Sequence, residues 1–330
     1  MQLSEGTGGI LSMCPCDEFL EIYKEDVTFR FETPETIDPE RTNPNAPFVA
    51  AVSDRIGCSD PIIARVLLQG RDILASAIFA KPLDDKAVIR TLHGIKESLI
   101  ACRKASTSVN TSVDGISSTV ETQGLIEDAG GRSLPSVPQV ADLDMHATQF
   151  LISAKRAIKG ICALVPLFVS VERPDSNFDH LGDRLEKSLG TDTASVRLVR
   201  EHATAVRYLI ALRNGQEHPH PGPATRIDNV RIQPDGSVSA PMWYRTGETP
   251  RPIHKEMLAA IELLVDVSEL MLIFLVDERL DSRWPFVIEK LDAVTINPKM
   301  PIKYRLTIDT SRLNLPKTDA GPNPSDAHAV

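Results

Sequence analysis

The stretch YLIALRNGQEHP, residues 208–219, decides the interpretation of this chain. Apolar residues that precede it recur at helical spacing, so the stretch is predicted to contain the end of a long helix. Gly215 suits the position just after a helix, and prolines follow closely, which places the predicted end at Gly215. Three residues suited to chemistry, Arg213, Asn214 and His218, therefore lie at or just beyond a helix end.

Arg213 stands where a core residue is expected. It follows Val206 by seven positions, which places the two side chains only about 20° apart around the helix, on its apolar face. Burial of a guanidinium is costly unless the group is paired. We therefore expect either that the helix end is open to solvent or that Arg213 faces an interface. His218 follows, where the chain can bring the imidazole back towards the arginine.

An arginine and a histidine so placed are suited to chemistry on a phosphodiester. Histidine can both accept and donate a proton near neutrality, and arginine can hold a phosphate oxygen and stabilise developing negative charge. With the Asn214 amide, these groups suffice in principle for attack of a ribose 2′-hydroxyl on its neighbouring phosphate. A second interpretation remains open, in which Arg213 and His218 complement the dipole of a helix C-terminus.

The pattern Arg213-Asn214-x-x-x-His218 resembles the R-x(4–6)-H signature of HEPN domains, including the polar residue after the arginine. The predicted order of helices is similar as well, with a long helix from about residue 142 to 171, a short one at about 178–189, a third ending in the motif, and a closing helix at about 252–280. The resemblance extends from about residue 142 to residue 283.

The resemblance implies a helical bundle that dimerises so that two motifs line one cleft. It also implies RNA cleavage that needs no metal ion and leaves a cyclic phosphate. His218 would be the general acid and base, Arg213 the transition-state stabiliser, and Asn214 a positioning residue. Some toxin members of the family continue the motif as His-x-Tyr with a modified tyrosine, whereas this chain has His220 there.

Further residues near the motif are candidates for substrate binding. Arg200 and Arg207 lie on one side of the third helix and could follow an RNA backbone, although a solvated helix face explains them equally well. Glu217 and His220 are close enough in sequence to assist.

The fold predicted for the whole chain is mainly α, a HEPN-like helical bundle with an inserted β-hairpin, an N-terminal helical region and a small C-terminal β element. The predicted parts are an irregular N-terminal arm at 1–59, a helical hairpin followed by a Ser/Thr/Gly-rich linker at 60–140, the HEPN-like domain at 141–283 with its hairpin at 226–246, a strand pair at 284–315 and a disordered tail at 316–330. Within the second part, the linker is predicted at 106–139.

Composition limits the classes of function. The net charge of −9 argues against a surface that is basic throughout. Five cysteines are an odd number and differ from a secreted disulfide framework. Cys14-Pro15-Cys16 lacks zinc-knuckle spacing, so we expect no metal site and no cofactor. With no leader pattern and no membrane-spanning apolar stretch, we expect a cytoplasmic protein that does not contact a membrane.

The sequence thus predicts a homodimeric, metal-independent endoribonuclease that acts on RNA in a toxin or anti-phage defence role. An antitoxin or other regulatory protein is implied as a partner by the resemblance alone. Two alternatives stay open: a non-catalytic HEPN-like module that binds RNA, nucleotide or protein, and an interaction scaffold.

Overall fold

An antiparallel sheet occupies the N-terminal part of the chain. The computed structural model describes residues 3–125, 135–171, 177–217, 223–235 and 237–312. The sheet has the strand order β1-β2-β3-β4. Its strands are β1 Ser12–Cys16, β2 Phe19–Tyr23, β3 Thr28–Glu32 and β4 Val49–Asp54.

This sheet shows that the predicted irregular arm at 1–59 is wrong. In β1 the buried positions carry Ser12, Cys14 and Cys16, while the exposed ones carry Met13 and Pro15. Because the larger apolar side chain is on the exposed face, the usual alternation of apolar and polar residues is missing. Burial alternates from one residue to the next along β1, but hydrophobicity does not alternate with it.

The predicted fold class, mainly α with a HEPN-like bundle, is also wrong, since the protein is mixed α/β. The α-helices of the described residues are α1 Gln69–Ser76, α2 Asp85–Gln123, α3 Leu143–Phe168, α4 Phe178–Leu189, α5 Ala194–Glu217 and α6 Ile253–Asp277. The helices share one core with the polar inner face of the N-terminal sheet, while the other face of that sheet covers a small separate cluster.

A buried π-helix, Ile62–Leu68, leads directly into α1. Its Arg65 forms ion pairs with Glu269 and Asp266 of α6, and Gln69 donates a hydrogen bond to Glu269 at 3.0 Å. Arg65 and Glu269 are both almost fully buried. These pairs fix the π-helix to α6 and leave neither charge without a partner.

Helix α2 runs through most of the predicted linker at 106–139, as far as Gln123. Val109 and Val113 continue its buried stripe. Several hydroxyls in this stretch bond to the carbonyl four residues earlier, as Ser112 does with Ser108 and Thr119 with Gly115. These hydroxyls are satisfied inside the helix, and so a Ser/Thr-rich composition does not end it. The prediction of a linker is wrong up to residue 123.

The helices predicted from the apolar pattern between residues 142 and 280 are confirmed as α3 to α6. The predicted end of α5 is wrong, because the helix continues past Gly215 to Glu217. A Cβ on Gly215 would lie only 2.6 Å from the Thr225 Oγ1 and 3.0 Å from the Pro223 carbonyl oxygen. The absence of a side chain at Gly215 therefore lets residues 223–225 pack closely against α5, and Gly215 does not end the helix.

The predicted β-hairpin at 226–246 is confirmed. Its outer strands pair antiparallel, the inner ones pair around the turn, and a short further strand joins the outer pair. The strands are β5 Thr225–Asp228, β6 Arg231–Ile232, β7 Val238–Ser239, β8 Met242–Arg245 and β9 Arg251–Pro252.

The C-terminal strand pair is confirmed as β10 Phe286–Lys290 and β11 Tyr304–Ile308, which run antiparallel. The tail predicted to be disordered, 316–330, lies outside the described residues. Within the described ranges, none of the helices combines the length and apolar character that a membrane crossing requires.

Candidate active site at the end of helix α5

The last turn of α5 holds three interacting side chains. The Arg213 guanidinium forms an ion pair with Glu217, one turn further along the helix, and its Nη1 donates a hydrogen bond to Asn214 Oδ1 at 3.2 Å. Arg213 is partly buried, as expected from its position on the apolar side, while Asn214 is exposed. The Nε of Arg213 is buried and has no hydrogen-bond partner among the described residues.

A lysine of α3 completes this group and was not predicted from the sequence. Lys155 Nζ donates a hydrogen bond to Asn214 Oδ1 at 3.4 Å, so that one amide oxygen accepts from an ammonium and from a guanidinium. The pKa of Lys155 is lowered by burial, and the positive charges of Arg213 and Lys159 lower it further. Lys155 and Arg213 thus meet at one amide oxygen, with Glu217 as the acid that pairs with Arg213, and positive charge is concentrated at the end of α5.

His218 and His220 lie outside the described residues, and so the structure does not place them relative to Arg213. In the sequence, His218 follows Glu217 directly, and Glu217 is the last residue of α5.

The candidate RNA-binding arginines are used inside the protein. Arg207 pairs with Asp179 of α4, with its Nε 3.0 Å from one carboxylate oxygen. Arg200 donates to Asp183 at 2.7 Å and to Glu186 at 2.8 Å. Both arginines thus tie α5 to α4, and their charges are met by carboxylates.

The aromatic residues of the hairpin are structural. Trp243 is fully buried and packs against Phe150 with ring centroids 5.9 Å apart. The Tyr244 hydroxyl donates a hydrogen bond to Asp228 at 3.1 Å. Burial excludes the Trp243 ring from stacking on a base, whereas Tyr244 is partly exposed and is held by its hydroxyl.

One group of described side chains could hold a metal ion, contrary to the expectation of no metal site. Donor atoms of Cys16, Glu21 and His93 all lie within 4.8 Å of one another. Sequence spacing could not reveal this group, because His93 comes from α2 and lies 72 residues after Glu21.

Searches with this chain against protein-family models, curated proteins and solved structures return no significant match.

Proposed function

We propose that this protein is an endoribonuclease of the HEPN type that cleaves RNA without a metal ion, with Arg213, Asn214 and His218 as its active-site residues. The observation that carries the proposal is the convergence of two cations, Lys155 and Arg213, on one exposed amide at the end of α5. An RNA phosphate oxygen accepts hydrogen bonds from guanidinium and ammonium groups just as the amide oxygen does. Because the phosphate is negatively charged, its hydrogen bonds to these cations are stronger.

The reaction follows from the chemistry of these groups. A base removes the proton of the ribose 2′-hydroxyl, the O2′ attacks phosphorus, and the bond from phosphorus to O5′ breaks as O5′ takes up a proton. His218 performs the proton transfers, since an imidazole can both accept and donate a proton near neutrality. Arg213 stabilises the negative charge that develops on the phosphate oxygens, and Asn214 orients Arg213. The products are a 2′,3′-cyclic phosphate and a 5′-hydroxyl, and no water is consumed.

Two copies of the chain would place two motifs along one cleft. His218 of one copy would then act as the base and His218 of the other as the acid. The homodimer therefore belongs to the proposal, and light scattering during gel filtration should give twice the mass of one chain. A role in toxin or anti-phage systems, restrained by an antitoxin or other regulatory protein, is part of the same proposal.

The test is incubation of the purified protein with mixed RNAs in EDTA, followed by analysis of the cleavage ends. We expect cyclic-phosphate ends from the wild type and a loss of at least about 100-fold in rate for His218→Ala and for Arg213→Ala, because each removes a group acting in the transition state. His202→Ala is the matched control, since Arg197 and His202 repeat the same spacing within α5. Intact RNA with the wild type, or cleavage by His218→Ala at the wild-type rate, refutes the proposal.

A second candidate is an RNA- or nucleotide-binding module that does not cut. The observation in its favour is that acids of α4 already pair with Arg200 and Arg207 on a protein of net charge −9. These two arginines then do not hold an RNA strand along α5, and the cations at the end of α5 are left to bind a single phosphate group. An RNA gel shift that Arg213→Ala abolishes, with no cleavage, would select this function.

A further inference from the structure

The N-terminal sheet turns polar side chains, including two thiols, towards the protein interior. Cys14, Cys16 and Tyr23 are buried on its inner face, together with Glu21, which has no exposed surface at all. Cys14 lies directly opposite Glu21 in the pairing of β1 with β2. The two cysteine sulfurs are 3.9 Å apart, closer than the roughly 6.6 Å between residues two positions apart on a strand, so the two side chains lean towards each other. This face therefore joins the shared core while placing thiol, phenol and carboxyl groups inside it.

Helix α2 presents two nitrogen groups to the same place. His93 Nε2 lies 3.0 Å from Glu21 Oε1, and Lys96 Nζ lies 2.9 Å from Glu21 Oε2. The Tyr23 hydroxyl also donates to Oε2. Oε1 also accepts from Lys96 Nζ at 3.1 Å and from Arg30 Nη2 at 3.3 Å. A metal ion bound to Oε1 would therefore replace only the His93 contact, with these two cations beside it, while Lys96 and Tyr23 hold Oε2.

We propose that Cys14, Cys16, Glu21 and His93 form a zinc site. Zinc in a tetrahedral site lies about 2.3 Å from sulfur and about 2.0–2.1 Å from nitrogen or oxygen. Those bond lengths require about 3.8 Å between two sulfurs and about 3.3 Å between a nitrogen and an oxygen. The observed separations are 3.9 Å between the cysteine sulfurs and 3.0 Å between His93 Nε2 and Glu21 Oε1. These two edges need movements of a few tenths of an ångström. Cys16 Sγ lies within 4.8 Å of the Glu21 and His93 donors and must approach them to the edge of about 3.6 Å that the same bond lengths require. Cys14 Sγ lies outside that group of three donors, so its side chain must turn further to become the fourth ligand.

The charges balance when zinc enters. The two thiols of Cys14 and Cys16 each lose a proton, and so the added charge of the ion is cancelled by two thiolates. His93 coordinates through Nε2 as the neutral ring with its proton on Nδ1. Lys96 and Tyr23 remain on the second oxygen of Glu21, which orients the carboxylate for the metal. No charge is left in the interior that was not there before.

The donor set indicates the kind of ion and its role. Two thiolates with an imidazole favour zinc over magnesium or calcium, which prefer oxygen ligands. Four protein ligands fill the tetrahedron, and His93 is the one with exposed side-chain surface, at 14%. A closed site of this kind is structural. It would join β1 and β2 to α2 at the polar part of the face that they contribute to the core.

The test uses the full-length protein, purified without chelators after growth with added zinc. We expect one zinc per chain by elemental analysis. Replacement by Co²⁺ should give the thiolate-to-cobalt charge-transfer band and the intense visible bands of a tetrahedral site. Cys16→Ser and His93→Gln should each lower the metal content and change the cobalt spectrum, whereas Cys102→Ala, which removes another buried thiol of α2, should change neither.

Absence of zinc from the wild type, or a cobalt spectrum without thiolate bands, overturns the proposal even if the variants fail to fold. Full metal content in the double variant Cys16→Ser/His93→Gln overturns it as well. The site is independent of the proposed ribonuclease, and circular dichroism before and after EDTA shows whether the cleavage assay is run on folded protein. Loss of zinc binding and loss of cleavage can therefore be told apart.

Discussion

Gly215→Ala tests the packing of the chain against the last turn of α5. A Cβ at this position would lie 2.6 Å from Thr225 Oγ1, 2.9 Å from Thr225 N and 3.0 Å from the Pro223 carbonyl oxygen. Two of these atoms belong to the backbone, and Thr225 Oγ1 is held by its hydrogen bond to the Leu212 carbonyl at 2.7 Å. The start of β5 must therefore move away from α5.

The magnitude follows from two opposing effects. Alanine is favoured over glycine within a helix by about 1 kcal/mol, whereas forcing extra atoms into a packed contact costs about 1–3 kcal/mol. Because backbone atoms must move, we expect the upper part of that range and a net loss of about 1–2 kcal/mol in the free energy of unfolding. Adding Thr225→Ala to Gly215→Ala should restore only part of the lost free energy of unfolding, since the contact with the backbone remains.

Gly115→Ala is the matched control, because Gly115 is also inside a helix but a Cβ there would meet nothing within 4 Å. It should stabilise the protein by up to about 1 kcal/mol. Urea denaturation of the wild type, the two single glycine variants and the double variant measures the differences in the free energy of unfolding. If Gly215→Ala proves as stable as Gly115→Ala, the glycine is not required for a close approach, and the account of why α5 continues to Glu217 fails.

Two other changes address buried charges. Glu269→Ala removes the buried partner of Arg65 and should cost about 3 kcal/mol, the lower end of the range for breaking a buried pair, because Arg65 keeps its ion pair with Asp266. Urea denaturation measures the cost against Glu262→Ala, an exposed position on the same helix, and an equal cost for the two variants would contradict the prediction. Burial lowers the pKa of His254, and the charge of Lys255 lowers it further. A histidine that is harder to protonate when folded destabilises the protein as the pH falls below about 6.5. His254→Gln should reduce the loss of melting temperature on acidification, and an unchanged pH profile would contradict this.

Long amphipathic segments were predictable, whereas short strands with polar interiors were not. The stripes of α3, α5 and α6 each extend over several turns, and the Pro234-Asp235 turn marks the hairpin, so these elements follow from local pattern. The strands of the N-terminal sheet are five or six residues long. In β1 the buried positions carry serine and cysteine, which leaves no apolar alternation for a pattern to detect. In β3, Phe29 and Phe31 do alternate with polar residues, but over only five positions.

The candidate site was predictable only where its residues are neighbours in sequence. Arg213, Asn214 and Glu217 share one helical turn, and so their proximity follows from helix geometry. Lys155 lies 59 residues before Asn214 and reaches it through the packing of α3 against α5. No local pattern distinguishes this lysine from others, because its position depends on how the two helices pack.

The partners of each arginine indicate which of them could exchange a carboxylate for a phosphate. Arg65 and Arg207 pair with acids on other helices, so releasing those acids would weaken contacts between helices. Arg213 pairs with Glu217, one turn away on its own helix, and its Nε has no acceptor among the described residues. A phosphate can replace Glu217 without breaking an ion pair between helices. A cation whose partner can leave without loosening the fold is the one suited to bind substrate. For this reason we propose Arg213 for the reaction, while Arg207 attaches α5 to α4.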